Sequence, residues 1–151
     1  MSNNKLLEII KIADIHAGRV SYALNKLQAV FPIEASQLNN LSEENFLFSE
    51  LLISRFAKLQ DILGAKLIDL FLLQQGETIE NLTMLDKINR LEALNIIADA
   101  NLWLNMREAR NHVAHEYPDN PELTAKYLNQ IVMLAPKLID LFNNIKNKSS
   151  N

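Results

Sequence analysis

The chain has 151 residues, of which 48% are hydrophobic, and a formal net charge of −3 at pH 7. This length fits one domain with a substantial core, and the acidic balance argues against a protein that coats nucleic acid with a broad basic face. The chain contains no cysteine, which excludes disulfide bonds and thiolate zinc sites. It has only three glycines and four prolines, which favours long helices over a sheet rich in turns.

The first predicted helix covers residues 4–30, where apolar residues recur at helical spacing before Pro32. A second long helix is predicted to begin after Ser42, which suits an N-cap, and to continue to residue 73, with Gly76 as the C′ residue. This second helix is apolar on more than one side. Such a pattern is typical of a central helix, of one partly buried in a dimer interface, or of both.

Three further helices follow. Thr83 is predicted to cap a short helix that ends near residue 94. The next helix is predicted to end near residue 116 or 117, because Pro118 disfavours the α conformation at the residue before it. Asn120 as N-cap and Pro121 at the first position then suit the start of the last helix, which is predicted to continue to about residue 145.

These elements predict an all-α fold, an up-down helical bundle of about five helices. We expect one domain over residues 1–146 and a disordered tail over 147–151. No apolar window is long enough to span a membrane, and the N-terminal segment is amphipathic rather than a signal peptide. The sequence therefore favours a cytoplasmic protein that does not bind membranes.

Four basic residues lie near the predicted end of the fourth helix: Arg107, Arg110, His112 and His115. A neutral imidazole can take a proton from a hydroxyl near pH 7, and an arginine can hold a phosphate through two parallel hydrogen bonds. These are the groups that metal-free RNA cleavage needs. Cations near a helix C-terminus also complement the helix dipole, so spacing alone favours a purely structural role.

Spacing gives partial support to a joint site. Asn111 and His115 lie four residues apart and so stack on one helical face, whereas Arg110 and His115 differ by roughly 140° around an ideal helix. His112 and His115 are three apart and could share a metal, but no third ligand is specified. We therefore predict no metal site and no cofactor.

Residues 110–117 read R-N-x-x-x-H-x-Y, which resembles the Arg-x-x-x-x-His-x-Tyr motif of the HepT toxins in the HEPN superfamily. Upstream, the Leu-Trp-Leu-x-Met pattern of residues 102–106 resembles the branch described as nucleotidyltransferase substrate-binding proteins. The likeness in motif and flanking helices covers residues 84–142, and the earlier helices agree in length and character.

The resemblance implies a HEPN-like bundle, usually a homodimer with its two motifs facing across the interface. It implies a toxin with metal-independent ribonuclease activity on RNA, including tRNA. It also implies a partner, an MntA-like nucleotidyltransferase antitoxin that transfers AMP from ATP to the motif tyrosine.

By this resemblance Arg110 would stabilise the scissile phosphate and His115 would be the general base or acid. Asn111 would orient His115 or contact the phosphate, and Tyr117 would accept AMP, whose charge would repel RNA. Arg107 and His112 form an overlapping Arg-x-x-x-x-His without the matching Asn and Tyr, and are predicted to be auxiliary.

The sequence also bears on two other functions. The chain could be a non-catalytic module that binds a nucleotidyltransferase without cutting RNA. A helix-turn-helix DNA-binding protein is disfavoured, because the helix after Pro121 carries mainly apolar residues at core spacing and few cations.

Overall fold

The structure is a computed structural model that describes residues 2–114 and 119–150; these residues form six α-helices and no strand. The α-helices are α1 (Ser2–Leu27), α2 (Glu43–Ile62), α3 (Ile68–Gln74), α4 (Met84–Ala93), α5 (Ala100–Ala114) and α6 (Pro121–Ser149). A 3₁₀ helix covers Ala35–Asn40, and a π-helical turn over Leu63–Leu67 joins α2 to α3. The predicted all-α bundle is confirmed.

Three predicted helix starts are confirmed by their capping bonds. Ser42, Thr83 and Asn120 each accept a hydrogen bond at the side-chain oxygen from the backbone N–H three residues further on, at 3.1 Å in each case. Pro121 follows at the first position of α6. Each cap satisfies one of the backbone donors that the first turn of a helix leaves free.

Two helix ends use a left-handed residue. Gly76 has φ +83°, and the N–H of Glu77 donates to the carbonyl of Leu72 at 2.9 Å, which closes α3 as predicted. Asn95, with φ 60°, closes α4 by the same pattern of bonds. Both satisfy carbonyl groups that the last turn would otherwise leave free.

The first helix ends earlier than predicted, and a short helix that the sequence did not predict follows it. α1 ends at Leu27 rather than near residue 30, and a 3₁₀ helix covers Ala35–Asn40. Between them, Ile33 is buried and both its backbone N–H and its carbonyl bond the side chain of Asn129 on α6. This segment therefore takes its conformation from a distant helix, which local sequence does not reveal.

The last helix is longer than predicted. α6 continues to Ser149, past the predicted end near residue 145 and into the segment for which disorder was predicted. Ser149 is buried, and its carbonyl accepts a hydrogen bond from the amide of Gln74 at 3.1 Å. The end of α3 therefore holds the last turn of α6 in place.

Helices α1 and α2 are antiparallel, since Tyr22 lies against Phe48 and His16 against Arg55. Helix α2 and the π-helical turn after it are antiparallel to α5, through Gln60 with Arg107 and Gly64 with Trp103. Helix α6 is antiparallel to α1, since Lys146 pairs with Asp14 and Asn129 bonds Ile33, which lies beyond the end of α1. The continuous rod formed by α2, the π-helical turn and α3 packs against α1, α5 and α6. The second predicted helix is thus central, and Phe56 and Phe71 on it are fully buried. Among the described helices, none is long and apolar enough to cross a membrane.

The close approach of α5 to the central rod depends on Gly64. A Cβ atom placed on Gly64 would lie 3.2 Å from Cζ2 of Trp103, whose side chain is buried. Gly64 lies in the π-helical turn, a local irregularity that often accompanies functional sites. Because Trp103 is one helical turn before Arg107 and two before Arg110, this contact brings both arginines close to α2.

A pair of identical substitutions tests the close approach. Gly18→Ala, at an exposed position of α1, places its methyl group in open space. It is expected to raise the free energy of unfolding by about 1 kcal/mol, because alanine has the higher helix propensity. Gly64→Ala is expected to gain clearly less, because its new methyl group crowds Trp103. Urea unfolding measures both, and equal gains would show that the Gly64–Trp103 contact is not tight.

Candidate functional site

The last two turns of α5 carry four of the predicted site residues: Arg107, Arg110, Asn111 and His112. His115 and Tyr117 lie outside the described residues. The structure therefore gives the geometry of the Arg110–Asn111 half of the motif.

Arg110 is held by a carboxylate on the central rod. Its Nε donates to Oδ1 of Asp61 and its Nη2 donates to Oδ2, both at 2.9 Å. The guanidinium side chain is 26% exposed and the carboxylate side chain is 42% exposed. Two parallel bonds between a planar donor and a planar acceptor fix orientation as well as position.

The pair leaves part of Arg110 free for a second anion. Asp61 engages the Nε–Nη2 edge, which uses two of the five N–H donors of a guanidinium. In the described part of the chain Arg110 makes no other hydrogen bond, so the donors at its Nη1–Nη2 end have no protein partner. Arg110 can accordingly be fixed by Asp61 and still bind a phosphate at its end.

Both members of the pair stay charged near neutral pH. The hydrogen bond from Arg110, assisted by the charges of Arg110 and Arg107, holds the pKa of Asp61 below its usual value although partial burial opposes this. The same bond raises the pKa of Arg110. Arg107, Arg110 and Asp61 together carry a net charge of +1.

Arg107 packs beside the pair. Its Nη1 donates to Oε1 of Gln60 at 3.2 Å and lies 3.7 Å from Oδ1 of Asp61, and its side chain is 53% exposed. Gln60 is fully buried, and within residues 2–114 and 119–150 its Nε2 has no hydrogen-bond partner. A buried donor without a partner costs about 1–3 kcal/mol. We infer that Gln60 serves the contact to Arg107 rather than the stability of the core.

His112 lies on a different side of α5. Its ring stacks on the ring of Tyr127 of α6, with centroids 4.2 Å apart and planes 6° from parallel, and its Nε2 lies 3.2 Å from Oε1 of Glu108. Arg107 faces α2, so the structure does not bring the overlapping pair, Arg107 and His112, together. Asn111, next to Arg110, is exposed.

Sequence reasoning missed Asp61 and Gln60. They lie 49 and 47 residues before their partners, so no local motif links them to Arg110 and Arg107. The signal that could have found them is that Gln60 and Asp61 are two adjacent polar residues between the apolar residues Leu59 and Ile62. In the described part of the chain, no group of three or more acidic or histidine side chains could hold a metal ion.

Comparison of the chain with protein-family models, with curated proteins and with solved structures finds no match. The resemblance to the HepT toxins therefore depends on the motif of residues 110–117, and it stays a prediction.

The Arg110–Asp61 pair predicts a specific pH dependence. Asp61→Asn is expected to lower the free energy of unfolding at pH 7 by about 1 kcal/mol, the upper range for a partly exposed ion pair. Because the pKa of Asp61 is lower in the folded chain, this stabilisation is fully present above the unfolded-state pKa of about 3.9 and is lost as the pH falls through the folded value.

Denaturant unfolding from pH 7 to pH 2 measures the difference between the wild-type chain and the variant. That difference should be constant above about pH 5 and shrink in acid. Asp14→Asn is the control, since it removes a carboxylate with a single contact to Lys146 and should cost less. No loss at pH 7, or a difference that persists at pH 2, would contradict the stabilising role of the pair.

Proposed function

We propose that this chain is the toxin of a HEPN-type toxin–antitoxin pair, similar to the HepT toxins. Its activity would be metal-independent cleavage of RNA, with Arg110, Asn111 and His115 in the site. A partner nucleotidyltransferase of the MntA kind would neutralise it by transferring AMP to Tyr117. Two copies of the chain would form a homodimer with facing motifs.

The observation that carries the proposal is the placement of Arg110, the first residue of the motif. Asp61 fixes the guanidinium through two bonds, and its Nη1–Nη2 end is left without a protein partner in the described residues. An arginine fixed in this way pays little conformational cost when it binds a phosphate, because its side chain is already ordered. This supports a role in holding the scissile phosphodiester.

The chemistry needs no metal. The 2′-hydroxyl oxygen of RNA attacks the adjacent phosphorus as a base removes its proton, and the bond from phosphorus to the 5′-oxygen breaks. The 5′-oxygen takes a proton from an acid, and a 2′,3′-cyclic phosphate remains. In the proposal His115 moves protons and Arg110 stabilises the charge that develops on the phosphoryl oxygens.

Neutralisation would act on the same end of α5. The phenol of Tyr117 would lose its proton to a base or to water as its oxygen attacks the α-phosphorus of ATP, and pyrophosphate would leave. The resulting phosphodiester would place a negative charge seven residues from Arg110, and Arg107, Arg110 and Asp61 together carry a net charge of only +1. One added anion is enough to cancel that charge and disfavour the binding of RNA phosphate.

A second function is favoured by a specific observation. Arg107 and Arg110 both have protein partners, Gln60 and Asp61, so their presence is also explained by packing of α5 on α2. The chain would then be a non-catalytic module that binds the nucleotidyltransferase and presents Tyr117. The two functions differ in whether RNA is cut.

RNA cleavage tests the first function directly. Purified chain in a metal chelator should cleave fluorescently labelled RNA, and its expression without a partner should arrest growth. Arg110→Ala is expected to lower the cleavage rate about 10²- to 10³-fold and His115→Ala about 10²- to 10⁴-fold.

Arg90→Ala is the matched control, because Arg90 also pairs with a carboxylate, that of Glu77, but on α4. It should cleave RNA at the wild-type rate. If the wild-type chain leaves RNA intact, the nuclease proposal fails and the binding module is favoured.

Intact mass tests the acceptor. With the partner nucleotidyltransferase and ATP, the chain is expected to gain the mass of one or more AMP groups, and Tyr117→Phe should prevent the gain. Tyr22→Phe, at an exposed tyrosine of α1, is the control and should still be modified. An adduct that persists in Tyr117→Phe would rule out Tyr117 as the acceptor.

A further inference from the structure

Three basic side chains meet on α1 and α2, outside the Arg110–Asp61 pair. Nη1 of Arg55 lies 2.9 Å from Nδ1 of His16, and Lys58 follows on α2 as an exposed residue three positions after Arg55. We call His16, Arg55 and Lys58 the basic row.

The contact between His16 and Arg55 fixes the state of the imidazole. Arginine has donors only, so Nδ1 of His16 accepts the hydrogen bond and the ring is neutral. Burial, assisted by the charges of Arg55 and Lys58, lowers the pKa of His16. His16 therefore orients Arg55 without neutralising it.

The two cations of the basic row have no carboxylate partner in the described part of the chain. Some other cations are neutralised by a carboxylate, as Lys87 is by Asp69 and Lys146 by Asp14, whereas Arg55 and Lys58 lie one helical turn apart without one among the described residues. In a chain whose formal net charge is −3, the basic row is thus a local excess of positive charge. A polyanion is the ligand that such an excess attracts.

The basic row lies next to the candidate site, because Arg55 and Lys58 are on the same helix as Asp61. Arg55, Lys58 and Asp61 follow one another at three-residue spacing on α2, which places successive members near each other along the helix surface. From Arg55 to Asp61 the rise along the axis is about 9 Å and the turn around it is about 120°, so these residues cross α2 from its α1 side to its α5 side. A strand with one phosphate at the free end of Arg110 could therefore lay neighbouring phosphates along Lys58 and Arg55.

We propose that Lys58 and Arg55, the latter oriented by His16, bind the sugar–phosphate backbone of single-stranded RNA next to the phosphate held at Arg110. This inference rests on the proposed function and extends its site from α5 across α2 to α1. Charged groups on a backbone supply affinity without reading bases, so the basic row adds affinity for RNA of any sequence.

The test uses the His115→Ala chain, which separates binding from cleavage, and a fluorescently labelled single-stranded RNA. Lys58→Gln in that chain should lower the salt slope of binding, d log K/d log[salt], by about 0.7 in magnitude, the value for one phosphate contact of a single strand. The affinity of the variant divided by that of the parent should therefore fall about fivefold when the salt is lowered from 1 M to 0.1 M. Lys58 is exposed, so the fold is expected to be unchanged.

Lys148→Gln, an exposed lysine at the far end of α6, is the matched control and should leave the slope unchanged. Equal slopes for the parent and Lys58→Gln would overturn the inference. The inference would also be overturned if Lys58→Gln weakened binding of the partner nucleotidyltransferase but not of RNA, since the basic row would then be a protein-docking surface.

Cleavage in the otherwise wild-type chain distinguishes this inference from the proposed function. Lys58→Gln should raise KM for a long RNA, leave kcat unchanged, and leave cleavage of a dinucleotide unaffected. Loss of dinucleotide cleavage would contradict the extended site. If the wild-type chain cleaves nothing while the binding slopes behave as expected, the nuclease proposal fails and the RNA-binding row stands.

Discussion

The packing of α5 against the central rod is the contact on which the candidate site depends. Trp103 lies on Gly64 without a side chain between them, and the same helix then presents Arg110 to Asp61 two turns later. An apolar contact without polar partners tolerates small sliding, whereas a two-bond fork does not. The indole therefore brings the helices together, and the ion pair fixes their register.

The two sides of α5 have different uses. The side that faces α2 carries the arginines, while the side that faces α6 carries His112 stacked on Tyr127. Two Arg-x-x-x-x-His patterns overlap in the sequence, and Arg107 and His112 of one of them contact different helices. For the other, the described half consists of Arg110 and Asn111, and the resemblance to the HepT toxins supplies the interpretation of the rest.

Local features of the sequence predicted local features of the fold. The caps at Ser42, Thr83 and Asn120 were predictable because a cap bonds to the backbone only three residues away. Asp61 was not, because its contact with Arg110 crosses 49 residues and exists only after α5 has packed. The last turn of α6 was missed for the same reason, since the distant Gln74 holds Ser149.

The carboxylate of Asp61 also bears on selectivity between small anions and polymers. A guanidinium that already has an anionic partner attracts a single free phosphate less strongly than an unpaired one, so cellular phosphate and mononucleotides would compete less well for it. Linked phosphates differ, because the first contact raises the effective concentration of the next one along the chain. Under the proposed function, Asp61 would thereby favour the binding of RNA strands with several linked phosphates over the binding of small free anions.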